Sequence, residues 1–109
     1  MRAVHITSLD GPESVQIVDV DEPAKRDDAV VIDVHAAGVA FPDALLTRGL
    51  YQYKPELPFV PGSEVAGIVR SAPEGSGLTA GDRVAALTGL SDGMAEGVVV
   101  SPDTVFALP

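Results

Sequence analysis

Apolar and polar residues alternate with a period of two along much of this chain, and that pattern predicts short strands. Residues 3–7 (Ala3-Val4-His5-Ile6-Thr7) and 15–20 (Val15-Gln16-Ile17-Val18-Asp19-Val20) both alternate and are rich in β-branched side chains. Asp10-Gly11-Pro12 between them is turn chemistry, so the two are expected to pair as a hairpin. After a charged loop over residues 23–28 comes the strongest strand, 30–39. Its pattern places Val30, Ile32, Val34 and Ala36 on one face and Val31, Asp33 and His35 on the other. Residues 64–71, 82–87 and 95–101 follow as strands, then one helical turn at Pro102-Asp103-Thr104 and an extended end over 105–108. Gly67 interrupts the strand 64–71 and predicts a bulge or a barrel bend there.

One segment breaks the period. Phe41-Pro42-Asp43-Ala44-Leu45-Leu46-Thr47-Arg48-Gly49 predicts a short helix: Pro42 and Asp43 suit its first turn, Arg48 its last, and Gly49 the stop. Residues 50–63 then carry three prolines, which forbid regular structure, together with Tyr51, Tyr53 and Phe59, three of the five aromatics in the chain. An aromatic loop that cannot be helix or strand must pack against something, and such loops commonly line a site. Six or seven short strands, glycine- and proline-rich turns and one short helix predict a mainly β fold, a small barrel or sandwich.

Composition narrows the chemistry. With 109 residues, 46% of them hydrophobic, the chain has the size and character of one folded domain. No apolar run approaches the roughly 20 residues that span a bilayer, and the N-terminus lacks an unbroken apolar stretch, so a cytoplasmic protein with no membrane partner is expected. There is no cysteine, which removes disulfides, thiol nucleophiles and cysteine-built metal sites. A net charge of −9 argues against nucleic acid as a partner. Half of the sixteen carboxylates lie between Asp10 and Asp33, as a solvated face. No serine has the glycine context of a nucleophile elbow, and His5 and His35 read as strand-surface imidazoles.

The run Ala36-Ala37-Gly38-Val39-Ala40-Phe41-Pro42-Asp43, then Gly49-Leu50-Tyr51, then Leu57-Pro58-Phe59-Val60-Pro61-Gly62-Ser63-Glu64-Val65-Ala66-Gly67, resembles the quinone oxidoreductase branch of the medium-chain dehydrogenase/reductase superfamily. Leu78-Thr79-Ala80-Gly81-Asp82-Arg83-Val84 and Met94-Ala95-Glu96 resemble it too. The resemblance implies a GroES-like, partly open β-barrel over residues 1–109, the catalytic domain that precedes a Rossmann domain in that family. No Gly-x-Gly-x-x-Gly opens a helix here, so the Rossmann domain is expected to be absent. Gly75-Ser76-Gly77 with Gly81 reads as a turn. Pro109 stands where the family chain turns toward its nucleotide domain, which leads to the expectation of a fragment or a natural short form.

The same resemblance implies an NADPH-dependent, zinc-independent enzyme acting on a quinone or an α,β-unsaturated carbonyl, with the cofactor held mainly by the other domain and a homodimer as a possible assembly. Zinc-dependent members carry cysteine at the position of Ala40 and histidine at that of Ser63, and neither residue present can ligate zinc. Many quinone oxidoreductases carry asparagine at the position of Ala40, so that amide is missing too. This leaves Tyr51 as the candidate hydrogen-bond donor to substrate or cofactor, against the plainer reading of an aromatic lid. Ala40, Phe41, Asp43 and Ser63 are expected to line the substrate, Asp43 also capping the helix. Phe41 would lie in the core or form one wall of the pocket. Glu64 is expected either to accept backbone hydrogen bonds as a structural carboxylate or to face the cleft beside the cofactor. The alternative is a non-enzymatic GroES-like interaction module, such as a co-chaperonin-type ring subunit, or an inactive truncated relative.

Overall fold

The apolar, β-branched run in residues 64–71 forms the centre of the main sheet in the computed structural model, which describes all residues from Met1 to Pro109. Seven strands form: β1 (Arg2–His5), β2 (Gln16–Asp19), β3 (Val30–Ala37), β4 (Glu64–Ser71), β5 (Arg83–Leu87), β6 (Gly97–Val100) and β7 (Val105–Ala107). The single α-helix, α1, spans Phe41–Thr47. β1 and β2 make the expected antiparallel hairpin, with Ala3 opposite Val18. The other five strands form an antiparallel sheet in the order β6-β3-β4-β5-β7. Bridges between Ala3 and Ala95 and between Ile6 and Phe59 tie the hairpin to this framework. The two sheets are joined but not closed, which bears out the partly open, mainly β architecture.

The apolar phase of each strand packs inward. Val30, Ile32, Val65, Val69, Val84, Ala86, Val98 and Val100 form the principal core. A second cluster, Ile6, Leu46 and Phe59, with Val15 and Tyr51 packed on it, lies under the helix.

Several boundaries contract relative to the sequence pattern. β1 begins at Arg2 and stops at His5, because Ile6 leaves the hairpin to exchange two backbone hydrogen bonds with Phe59. β3 stops at Ala37, and α1 stops at Thr47, with Gly49 at φ 67° just beyond it as the expected left-handed stop.

The face assignment in β3 is corrected at its end. The register shifts between Val34 and Ala36, so His35 is an extra residue that exchanges the faces beyond it. Ala37, not Ala36, packs on the core, and Ala36 is exposed. A second shift leaves Arg70 as the extra residue of β4. The irregularity signalled by Gly67 therefore lies opposite it, in β3. Gly67 itself marks close approach: a Cβ there would run into the carbonyl oxygen of Asp33. Arg70 uses its displaced position to donate to the carboxylates of Asp33 and, at 2.9 Å, Glu22. These hydrogen bonds, Asp33 first, raise its pKa further above the ordinary arginine value.

Candidate functional site

The loop leaving β3 and the loop entering β4 run side by side because the Gly38 N–H donates to the Glu64 carbonyl at 3.1 Å. That bond brings the segments carrying Ala40 and Ser63 alongside each other. The β4 side is held from outside the motif. Thr88 donates its hydroxyl to the Gly62 carbonyl at 2.7 Å and its N–H to the Ser63 carbonyl at 2.9 Å. Sequence reading misses Thr88. Its only signal is its position just past the alternating strand β5.

Asp43 anchors the other side. Its carboxylate is buried, 5% exposed, and accepts the Ala40 N–H at 2.8 Å, while its own N–H donates to the Ala40 carbonyl at 3.0 Å. This is half of a capping box: the third residue of the helix reaches back to the residue before it, and Ala40 has no side-chain oxygen to return the bond. Asp43→Ala leaves that N–H unsatisfied and should cost about 1–3 kcal/mol of stability, whereas Asp43→Asn keeps an acceptor and should cost less. Urea melts of the two variants check this; an alanine variant as stable as the parent would exclude the anchoring role.

The aromatic residues part company. Phe41 is 76% exposed, which corrects the expectation of a core position and leaves it on the rim. Val39 at 82% and Leu50 at 68% are exposed as well. Tyr51 is half-buried and packs on the Ile6–Leu46–Phe59 cluster. Glu64 is exposed, its side chain lying over Gly38, which corrects its reading as a buried structural carboxylate. None of Tyr51, Ser63 and Glu64 uses its side chain in a hydrogen bond within the chain, so all three remain available to a ligand. Next to Gly38 and Glu64, the outer face of the sheet is a shallow apolar groove of about 460 Å³ over Ala36, Ala66, Ala85, Leu87 and Phe106. Pairing places Ala36, Ala66, Ala85 and Phe106 in one row across β3, β4, β5 and β7. No group of three or more His, Asp or Glu side chains is clustered to hold a metal ion. No helix is long and apolar enough to cross a membrane.

Three comparisons with known proteins bear on this geometry. The family profile described as the alcohol dehydrogenase GroES-like domain matches residues 26–109. The quinone oxidoreductase of Rattus norvegicus is 40% identical over 111 residues, a match that takes in 100% of this chain and 34% of that protein. The chain thus spans about a third of the length of the curated relatives it matches. Among solved structures, a probable oxidoreductase from Mycobacterium abscessus is 52% identical with a TM-score of 0.96, covering 100% of this chain and 34% of that one. The quinone oxidoreductase of Thermus thermophilus, whose structures include a complex with NADPH, is 36% identical with a TM-score of 0.82, covering 100% and 32%.

Proposed function

The chain belongs to the alcohol dehydrogenase GroES-like domain family, and on that premise we propose that it is the substrate-side catalytic domain of a zinc-independent, NADPH-dependent oxidoreductase for quinones or α,β-unsaturated carbonyls. The observation that carries this reading is the set of free polar side chains, Tyr51, Ser63 and Glu64, beside the apolar segment Val39–Phe41, together with the quinone oxidoreductases among its relatives. A flat apolar acceptor can lie against Val39, Ala40 and Phe41. The Tyr51 phenol donates to its carbonyl oxygen as negative charge develops there, with the Ser63 hydroxyl as a polar liner.

Residues 1–109 form one GroES-like domain on this reading, with the nucleotide held mainly by a separate Rossmann domain. The residues present fit only the nicotinamide end of the cofactor. Glu64 can accept from a carboxamide or ribose hydroxyl and Tyr51 can donate, but α1 is preceded by Gly38-Val39-Ala40, which is no phosphate cradle. NADPH, when bound, supplies the hydride. With alanine and serine at positions 40 and 63, carbonyl polarisation falls to hydrogen-bond donors rather than to zinc. A cytoplasmic location and a homodimer complete the proposal.

Titration of the 109-residue chain is the test. NADPH should show no saturable binding below about 1 mM, whereas methyl-1,4-benzoquinone should shift the amides of Ala40, Tyr51 and Ser63. Tyr51→Phe should weaken the quinone by about fivefold, the worth of one hydrogen bond. Micromolar NADPH affinity, or quinone binding that ignores the loss of the phenol, would defeat the proposal in this form.

A further inference from the structure

Beside the β3–α1 loop, the helix, β1 and the chain around Pro61 line an open crevice of about 270 Å³. Its walls include Val4, Val15, Val39, Ala44, Pro61 and Met94. We infer that this crevice is a binding slot for the hydrocarbon chain of a lipophilic electron acceptor, a quinone bearing an alkyl or isoprenoid tail. The inference rests on the proposed quinone site for the position of the head group, but not for the slot itself.

The lining favours an apolar occupant. Only two polar side chains line the crevice, Asp43 and Thr47, and they are 5% and 6% exposed. Both are partly engaged: Asp43 Oδ2 accepts the Ala40 N–H at 2.8 Å, and the Thr47 hydroxyl donates to the Ala44 carbonyl at 2.7 Å. A polar ligand would leave its water hydrogen bonds unreplaced, while each buried methylene gains. Size sets the length: an apolar cavity of about 150 Å³ holds a benzene ring, so 270 Å³ has room for about ten carbons.

Placement ties the slot to the site. Val39 on its wall directly precedes Ala40, and Pro61 stands two residues before Ser63, so the walls of the slot run into the two segments that carry the proposed head-group contacts. The Met94 backbone is fixed by its N–H donating to the Pro61 carbonyl at 2.9 Å, and its side chain packs closely against Gly62. Its thioether gives that wall the adaptability a flexible chain needs.

The test is a methyl-resolved NMR titration of the 109-residue chain with three probes: 1-decanol for the tail alone, methyl-1,4-benzoquinone for the head alone, and decyl-1,4-benzoquinone for both. 1-Decanol should shift the methyls of Val4, Val15, Val39 and Met94, and the decyl quinone should bind at least about tenfold more tightly than the methyl quinone. Ala44→Leu fills the slot, and Val39→Phe obstructs its exposed mouth where folding is not at stake; either should bring that ratio close to one. The slot is overturned if 1-decanol leaves those methyls unmoved, if the two quinones bind equally, or if the tail's advantage survives Val39→Phe. If 1-decanol shifts the slot methyls and neither quinone touches Ala40, Tyr51 or Ser63, the slot stands and the quinone reading fails.

Discussion

Gly67→Ala should destabilise the domain by about 3 kcal/mol or more, one of the largest single-site losses available in it. The added Cβ would collide with the Asp33 carbonyl oxygen and lie 3.0 Å from both the Asp33 carbonyl carbon and the Ile32 Cγ2. Two of those three atoms are backbone of the neighbouring strand, so no flexible side chain can move aside. Gly67 pairs with Val34 in one direction and Val84 in the other, so a shift to relieve the collision would disturb both the β3–β4 and β4–β5 ladders. Gly75→Ala is the control. Gly75 has φ 82° with nothing within 4 Å of a Cβ, so only backbone strain of about 1–2 kcal/mol applies there. Urea unfolding at constant slope separates the two; a Gly67→Ala variant no weaker than Gly75→Ala would mean that the strands can part without cost.

Leu46→Ala should cost about 3–4 kcal/mol and, with it, the geometry of the candidate site. Leu46 is 2% exposed and lies between Ile6 and Phe59 under the helix. Those two residues also exchange backbone hydrogen bonds of 2.9 and 3.1 Å, so the cavity would open beside the bridge that ties β1 to the proline-rich loop. Tyr51 packs on the same cluster, and Asp43, three residues earlier on α1, holds Ala40. The expected signature is a lowered melting temperature together with loss of the quinone-induced shifts at Tyr51 and Ala40. Leu45→Ala, on a half-buried neighbour, should leave those shifts in place. Should Leu46→Ala melt early yet keep full quinone response, the helix is not what positions these residues.

How much of this is legible in the sequence depends on the range of the interaction. Strand 64–71 is legible at its full extent as a β-branched, apolar run opened by Gly62, but its buried face, Val65, Gly67 and Val69, emerges only in the structure. The helix stop at Gly49 is legible because glycine adopts φ 67° without steric cost. The exchange of faces beyond His35 is not, since a bulge arises from the pairing of two strands and leaves the local pattern of one strand unchanged. For Glu64 and Phe41 the sequence leaves a buried and an exposed alternative open, and only the structure removes the buried one, because burial depends on what the rest of the chain builds around each residue.

The residue order alone determined the mainly β character, the single short helix, the irregular aromatic loop before β4, the lack of zinc ligands at positions 40 and 63, and the family. All of these are properties of short segments, where propensity and spacing act directly. The tertiary structure decided which side chains are free and which are engaged. Thr88 reaches back 26 residues to hold the loop before Ser63. Val4, Ala44 and Met94, from three separate parts of the chain, meet around one apolar crevice. Such contacts follow from how the sheets and helix pack in space, and burial and hydrogen bonding across those distances leave no periodic trace in the chain itself.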